Sequence, residues 1–456
     1  MAALIGLTCF SLQAATPDPV KSEARDMFAD VIGMKTSTGL GQVPTMARYL
    51  AARLRDAGFP DKDIHILPLG ETASLVVRYR GDGTGGRPIL FAAHMDVVTA
   101  NPQEWERDPF TLVEEDGYFF GRGTSDIKAD IVTITATFMR LKREGFTPSR
   151  DLIIAFTGDE ETEQATTRDL VENHRALIDA EFCLNGDGGG GVYAEDSGAA
   201  RLFYLQGAEK SYATFSFTAR NPGGHSSEPR LENAIYDLAD ALGALQSHLF
   251  PVMWNEWTLG SFAAAGPATP GELGAAMSRF AGNPRDTAAA QLLAGEPSYV
   301  GRTRTTCVAT MLSGGHAENA LPQTATATVN CRIFPGTSTE EVRLELQRVA
   351  GSKVAVQLAG REFDSVASPL REDVLHAVTE AVHASHPGIQ IVPDQASYYT
   401  DGSIFRAAGI PTYGVSGLFI RDSDSFAHGL NERIEVRAFY DGLTHWYTLI
   451  SLLAGK

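Results

Sequence analysis

Three apolar runs of strand length, each ending in histidine or acids, constrain the fold of this chain more than any other feature. PILFAAHMDVV at 88–98 carries His94 and Asp96 at its end, DLIIAFTGDEE at 151–161 ends in Glu160 and Glu161, and EFCLNGDGGG at 181–190 delivers Asp187. Between the first two runs, Ile127, Ile131, Ile134, Phe138 and Leu141 recur at helical spacing up to Gly145, so Asp126 falls at a helix N-terminus. A second helical pattern at 44–58 places Met46, Tyr49, Leu50 and Leu54 on one face. Strand, helix, strand, helix, strand predicts an α/β sheet, and such sheets bind ligands beyond the carboxyl ends of their strands. The acids stand there.

The texture changes at about residue 203. FYLQGAEKSYATFSFTAR and TATATVNCRIF alternate apolar and polar residues, as a sheet with one wet face does. NAIYDLADALGAL between them is helical in pattern, and TSTEEVRLELQRVAG is a capped helix in which Thr337 with Glu340, or Ser338 with Glu341, fits a capping box. Residues 250–300 form a long Ala/Gly/Pro-rich stretch. Beyond about 365, longer helices and buried strands return, and His428 lies among them in FAHGLNE. The expected organisation is one α/β domain built from 20–202 and 365–456, interrupted by a smaller α+β domain at 203–364.

Two imidazoles with several carboxylates make a nitrogen and oxygen donor set suited to zinc, and less exclusively to cobalt or manganese. A hydrolase with a two-metal centre needs a carboxylate that can bridge, further ligands on each ion, and a base beside the attacking water. His94, Asp96, Asp126, Glu160, Glu161, Asp187 and His428 supply that count. Taken singly, each has a plainer reading: Asp126 as a helix cap, the Glu pair as a solvated turn, Asp187 as a turn residue among glycines. The runs GDGTGG and GDGGGG lack the Lys-Ser/Thr end of a phosphate loop. A net charge of -18 speaks against a nucleic-acid partner, because phosphate binding needs a basic face.

The joint pattern resembles the M20 family of metallopeptidases, which includes carboxypeptidases, aminopeptidases, dipeptidases and aminoacylases. The resemblance rests on HMD at 94–96, GRGTSDIKA, GDEE, the Gly-Asp-Gly turn, PGGHSSEP, NALP and HGLNE, in the family's order from residue 94 to 432. It implies that Asp126 bridges two zinc ions, that His94 and Asp187 complete one site and Glu161 and His428 the other, and that Glu160 is the general base. Asp96 would fix the tautomer of His94 by accepting a hydrogen bond from its free ring nitrogen. The inserted domain would serve as a lid and dimerisation domain of a homodimer, or of a monomer if the 250–300 stretch alters that face. His225 would reach the partner's site and steady the oxyanion. Asn319 would support oxyanion or substrate, Arg332 would bind a substrate carboxylate, and Thr400, Asp401 and Gly402 would form a substrate-contact loop. The resemblance also implies a cis peptide bond after Asp126.

An Asp at position 187 points, by the same resemblance, to dipeptides or short peptides with a free amine; the alternative is a carboxypeptidase or N-acyl-amino-acid hydrolase. A reading of another class is an inactive binding protein that kept the fold. The first 15 residues, MAALIGLTCFSLQAA, resemble a secretory signal and predict export to the periplasm or medium, a cytoplasmic location being the alternative. No long apolar run beyond them predicts a membrane span. Cys9, Cys183, Cys307 and Cys331 have no CxxC spacing, and Cys183 and Cys331 sit in apolar strand-like runs, so buried thiols are expected rather than a disulfide framework.

Overall fold

A computed structural model describes residues 18–360 and 365–455. The segment 1–15 expected to be a signal, with Cys9, lies outside the described residues, as does 361–364, where the inserted domain was expected to end. The apolar runs form strands. They are β1 (Ile64–Leu69), β2 (Thr72–Tyr79), β3 (Ile89–His94), β4 (Leu152–Thr157), β5 (Phe182–Asn185), β6 (Gly190–Tyr193) and β7 (Ala200–Glu209). The alternating segments give β8 (Ser211–Arg220), β9 (Thr306–Gly314), β10 (Thr324–Ile333) and β11 (Val354–Leu358). Three short strands follow: β12 (Gln390–Ala396), β13 (Thr412–Gly414) and β14 (Phe419–Ile420).

The first and last groups join in one mixed sheet of order β1-β2-β4-β3-β5-β13-β7-β6-β14, with β12 beside β7. Its centre, β4-β3-β5-β13, is parallel. Every residue of β3 and β4 is buried, because helices cover both faces and a strand so placed has no wet side. On one face pack the helices Pro19–Gly33, Lys128–Arg143 and Val436–Ala454, with Phe28, Phe138 and Trp446 in the shared core. On the other, Leu170, Cys183, Phe405 and Ile410 form a thinner core under the helices Ala165–Asn173 and Asp401–Ala407.

The alternating strands form a separate antiparallel sheet of order β9-β10-β8-β11. Phe215, Phe217, Val329 and Ile333 point to its covered face, which is closed by the helices Ala234–Ser247 and Thr339–Ala350. The capping box that starts the second helix is the Ser338–Glu341 pair.

The 250–300 stretch folds into the helices Glu256–Ala268, Gly271–Gly282 and Thr287–Ala294 around Phe262, Met277, Phe280 and Leu293. It docks on the main sheet at β12 and β7. Trp257 is fully buried, donates from its indole to the carbonyl of Ser368 (2.7 Å), and lies where a side chain at Gly207 would have to be. Asn255 bonds Gln395 (2.6 Å) and Arg302 bonds Asp394 (2.8 Å).

The cysteine expectation needs correction. Cys183 is a buried free thiol, but Cys307 and Cys331 form a disulfide. They are directly opposite residues of β9 and β10, with Cα atoms 4.1 Å apart, a proximity that the strand register creates and linear spacing does not reveal.

Candidate metal centre

The parallel strands run in one direction, so their carboxyl ends share one rim. β3 ends at His94, β4 leads through Gly158 and Asp159 to Glu160 and Glu161, and β5 leads to Asp187. Asp126 comes from the loop before helix Lys128–Arg143, across a cis peptide bond to Ile127. His428 comes from the far end of the chain, with a left-handed φ of 63°.

The six side chains converge. His94 Nε2 lies 3.0 Å from Asp126 Oδ1, and His428 Nε2 lies 3.1 Å from Asp126 Oδ2, so each carboxylate oxygen faces a different imidazole. His428 Nε2 is 2.9 Å from Glu161 Oε2, and His94 Nε2 is 3.9 Å from Asp187 Oδ2. Two sets of donor atoms cluster within 4.8 Å: His94 with Asp126 and Glu161, and His94 with Glu160 and Asp187.

Charge and burial conflict here. Burial pushes Glu160 well above the usual carboxyl range, helped by Asp187, and does the same to Asp187. Burial alone would neutralise His94, yet Asp126, Asp96 and Asp187 hold its proton affinity well above the ordinary value. His428 is pushed up to about 10 by hydrogen bonds to Asp126 and Glu161. Asp126 is held low, its two imidazole partners outweighing its burial. A pocket that concentrates this much negative charge away from water calls for cations.

The donors also fit in kind and spacing. Oxygen and imidazole nitrogen are ligands for zinc, and bonds of about 2.0–2.1 Å in a tetrahedron put donors roughly 3.3 Å apart. The shortest of these contacts, 2.9–3.1 Å, lie close to that edge.

Asp96 acts differently from the expectation. His94 Nδ1 lies 3.0 Å from the backbone carbonyl of Asp96, whereas the Asp96 carboxylate is 3.6 Å away. That carboxylate instead accepts the backbone N–H groups of Glu160 and Glu161, each at 3.1 Å. The main-chain oxygen is nearer the ring, so one residue fixes the imidazole with its backbone and the acidic loop with its side chain. Asn185 shapes the next turn, donating to the Asp187 carbonyl (2.9 Å) and accepting from the Asp187 N–H (3.1 Å). Sequence reasoning passed over it because Asn before Gly-Asp looks like any turn residue.

A cavity of ≈ 470 Å³ opens beside the donors. Thr400 lines it, and Asp401 and Gly402 lie just behind at the start of helix Asp401–Ala407. These residues are buried in a network: Glu209 accepts from Thr400 N, Thr400 Oγ1 and Ser403 Oγ at 2.8–2.9 Å and pairs with Arg406 at 2.7 Å. Asp401 accepts from Thr157 Oγ1 (2.5 Å), and burial pushes it up to about 6. His225, Asn319 and Arg332 are not among the lining residues. His225 is exposed on a two-residue strand against Ala320 and Leu321, its Nδ1 2.7 Å from Ser227 Oγ, with Asn319 accepting from Ser226 N (3.0 Å) nearby. Arg332 is exposed on β10, its guanidinium 5.6 Å from the Tyr212 ring centre, and Tyr212 meets edge-on the ring of Tyr399, which does line the cavity.

A mixed α/β sheet with two histidines and four carboxylates converging at its carboxyl rim defines the class of metal-binding α/β hydrolases. The chain belongs to peptidase family M20/M25/M40, whose sequence model matches residues 90–452. It is 29% identical over 375 residues to the N-fatty-acyl-amino acid synthase/hydrolase PM20D1 of Xenopus tropicalis, covering 77% of this chain and 69% of that protein. Its fold is similar to the M20 family metallo-carboxypeptidase Sso-CP2 from Sulfolobus solfataricus, with a TM-score of 0.70 at 16% identity, covering 94% of this chain and 99% of that one. It also resembles the YXEP protein of Bacillus subtilis, described as a dinuclear metal binding peptidase, with a TM-score of 0.60 at 13% identity and 95% and 98% coverage. Among the described residues, no helix is long and apolar enough to cross a membrane.

Proposed function

We propose that the protein hydrolyses amide bonds in small substrates at a centre for two divalent cations, zinc foremost and cobalt or manganese as alternatives. The observation that carries this reading is Asp126, whose two oxygens face the Nε2 atoms of His94 and His428 at 3.0 and 3.1 Å. Asp126 would lie between the cations, with His94 and Asp187 on one and Glu161 and His428 on the other. Cations held there supply the positive charge that polarises a scissile carbonyl and acidifies water. Glu160 projects into the cavity from a loop whose backbone is tied to Asp96. Its carboxylate takes the proton of the attacking water and returns it to the leaving nitrogen. His225, Asn319 and Arg332 stand outside this cavity in one chain, so their proposed roles belong to a homodimer in which the inserted domain of one copy approaches the other.

Two substrate readings differ in one group. Asp187 favours a free amine, as in a dipeptide. The cavity favours an apolar acyl group: Val192, Tyr204, Leu418 and Ile420 wall it, and its carboxylates are the metal-ligand candidates, Glu160 and the outlying Asp422. An ammonium ion needs a carboxylate that is not already engaged with a cation, so we favour an N-acylated amino acid or blocked short peptide. The Cys307–Cys331 bridge favours an oxidising compartment and so supports export.

Metal analysis of the purified protein should give two equivalents. Hydrolysis of N-acyl amino acids should exceed that of the matching free-amine dipeptides, and Glu160→Gln should lower kcat by about 10²- to 10⁴-fold with metal retained. Full activity in Glu160→Gln would remove the base from this mechanism.

A further inference from the structure

Two loops far apart in sequence meet beside Asp126, and one side chain fastens them. Glu432 follows His428 by one helical-turn length and its carboxylate is buried completely. Oε1 accepts the backbone N–H groups of Ser125 (2.7 Å) and Asp126 (3.0 Å). Oε2 accepts the N–H of Gly123 (3.0 Å) and Nη1 of Arg122 (2.6 Å). Arg122, itself buried, donates its other Nη to the carbonyl of Gly429 (2.9 Å), and Gly121 N–H donates to the Glu432 carbonyl (3.1 Å). Each of these bonds crosses from the loop that ends at Asp126 to the loop that begins at His428.

We propose that Glu432, with Arg122, is the positioning residue that sets the distance between Asp126 and His428, and with it the seat of the second cation. This rests on the metal-hydrolase reading above. Glu432 lines no part of the cavity, so it acts through the two loops and not on substrate. The chemistry requires a carboxylate: four donors converge on two oxygens, and glutamine would turn an NH₂ group toward either the amides or the guanidinium. Asp126 has no freedom to adjust, because the N–H of its own peptide is one of the four donors. His94 at the end of β3 and Asp187 in the turn after β5 lie outside the clamp, so the first seat, which shares only Asp126 with it, is expected to weaken less than the second.

The test is zinc titration of the metal-free protein by calorimetry, with stoichiometry checked by elemental analysis and fold by circular dichroism. Wild type should take two equivalents. Glu432→Gln should bind the second equivalent at least tenfold more weakly and the first with a distinctly smaller loss, with kcat reduced, KM little changed, and kcat recovering as zinc is raised. Glu432→Asp should fall between them. Arg122→Lys keeps the charge but cannot reach both Glu432 and Gly429; it should weaken the second equivalent by a few fold, and it carries the test if Glu432→Gln does not fold. Two equally tight equivalents in folded variants would overturn the positioning role alone. A wild type that binds no metal would sink the metal reading as well.

Discussion

Asp130 lies one helical turn beyond Asp126 and is an acid of a different kind. It is buried beneath the helix Val436–Ala454 and accepts from Trp446 Nε1 (2.9 Å), Ser416 Oγ (2.7 Å) and Gly417 N (3.3 Å). Burial pushes its pKa up to about 6, against the pull of those donors. A folded-state pKa above the unfolded value means that the native state binds the proton more tightly. The resulting stabilisation is present below about pH 4 and is lost as pH rises through about 6, a change on the order of 3 kcal/mol. Asp130→Asn should flatten that part of the stability profile relative to wild type in urea unfolding between pH 4 and 7. Parallel profiles for the two proteins would refute it. At this scale the sequence was legible where a residue ended an apolar run or sat in a recognisable motif, as His94, Asp126, Glu160, Glu161, Asp187 and His428 did. Arg122 and Glu432 stand in the same motifs, GRG and HGLNE, yet drew no role from the sequence, because only the meeting of two distant loops buries and pairs them.

Among the elements, the helices at 256–294 show how a composition can conceal a structure. Their many alanines and glycines blur the helical period, because the stripe Leu273, Ala276, Met277 and Phe280 is half built of small residues and stands out little from its Ala/Gly surroundings. Their anchor is Trp257, seated against the bare backbone of Gly207. Trp257→Ala should cost about 3 to 5 kcal/mol, as loss of a buried aromatic does. It should also open 250–300 to limited proteolysis while the inserted sheet stays resistant. Cleavage that starts elsewhere would show that this contact is not what holds the segment. The α/β alternation, the change of texture near 203 and the helices at 43–56 and 128–143 were readable because each carries a regular apolar period. The Cys307–Cys331 bridge was not, since strand register is a property of the pairing and not of either strand.

On the scale of the whole molecule, β9 is one of the two edges of the inserted sheet and leaves Val308, Met311 and Leu312 exposed by 60, 69 and 70%. An apolar edge strand with unpaired backbone groups invites a partner strand. A homodimer through this edge would cover it. Sedimentation should give twice the chain mass for wild type and the single chain mass for Met311→Lys combined with Leu312→Lys. A monomeric wild type, or a double variant that stays dimeric, would exclude this interface.

The place of His428 in the chain has a further consequence, for the timing of assembly. It is made roughly 240 residues after Asp187, with the entire inserted domain in between. In a chain that folds as it is synthesised, at about 5–20 residues per second, His94, Asp126, Glu161 and Asp187 exist for roughly 12 to 50 s without their last partner. If the cations sit as proposed, only the His94 side would have all its protein donors during that interval, and the order in which the two seats fill would follow the order of the sequence.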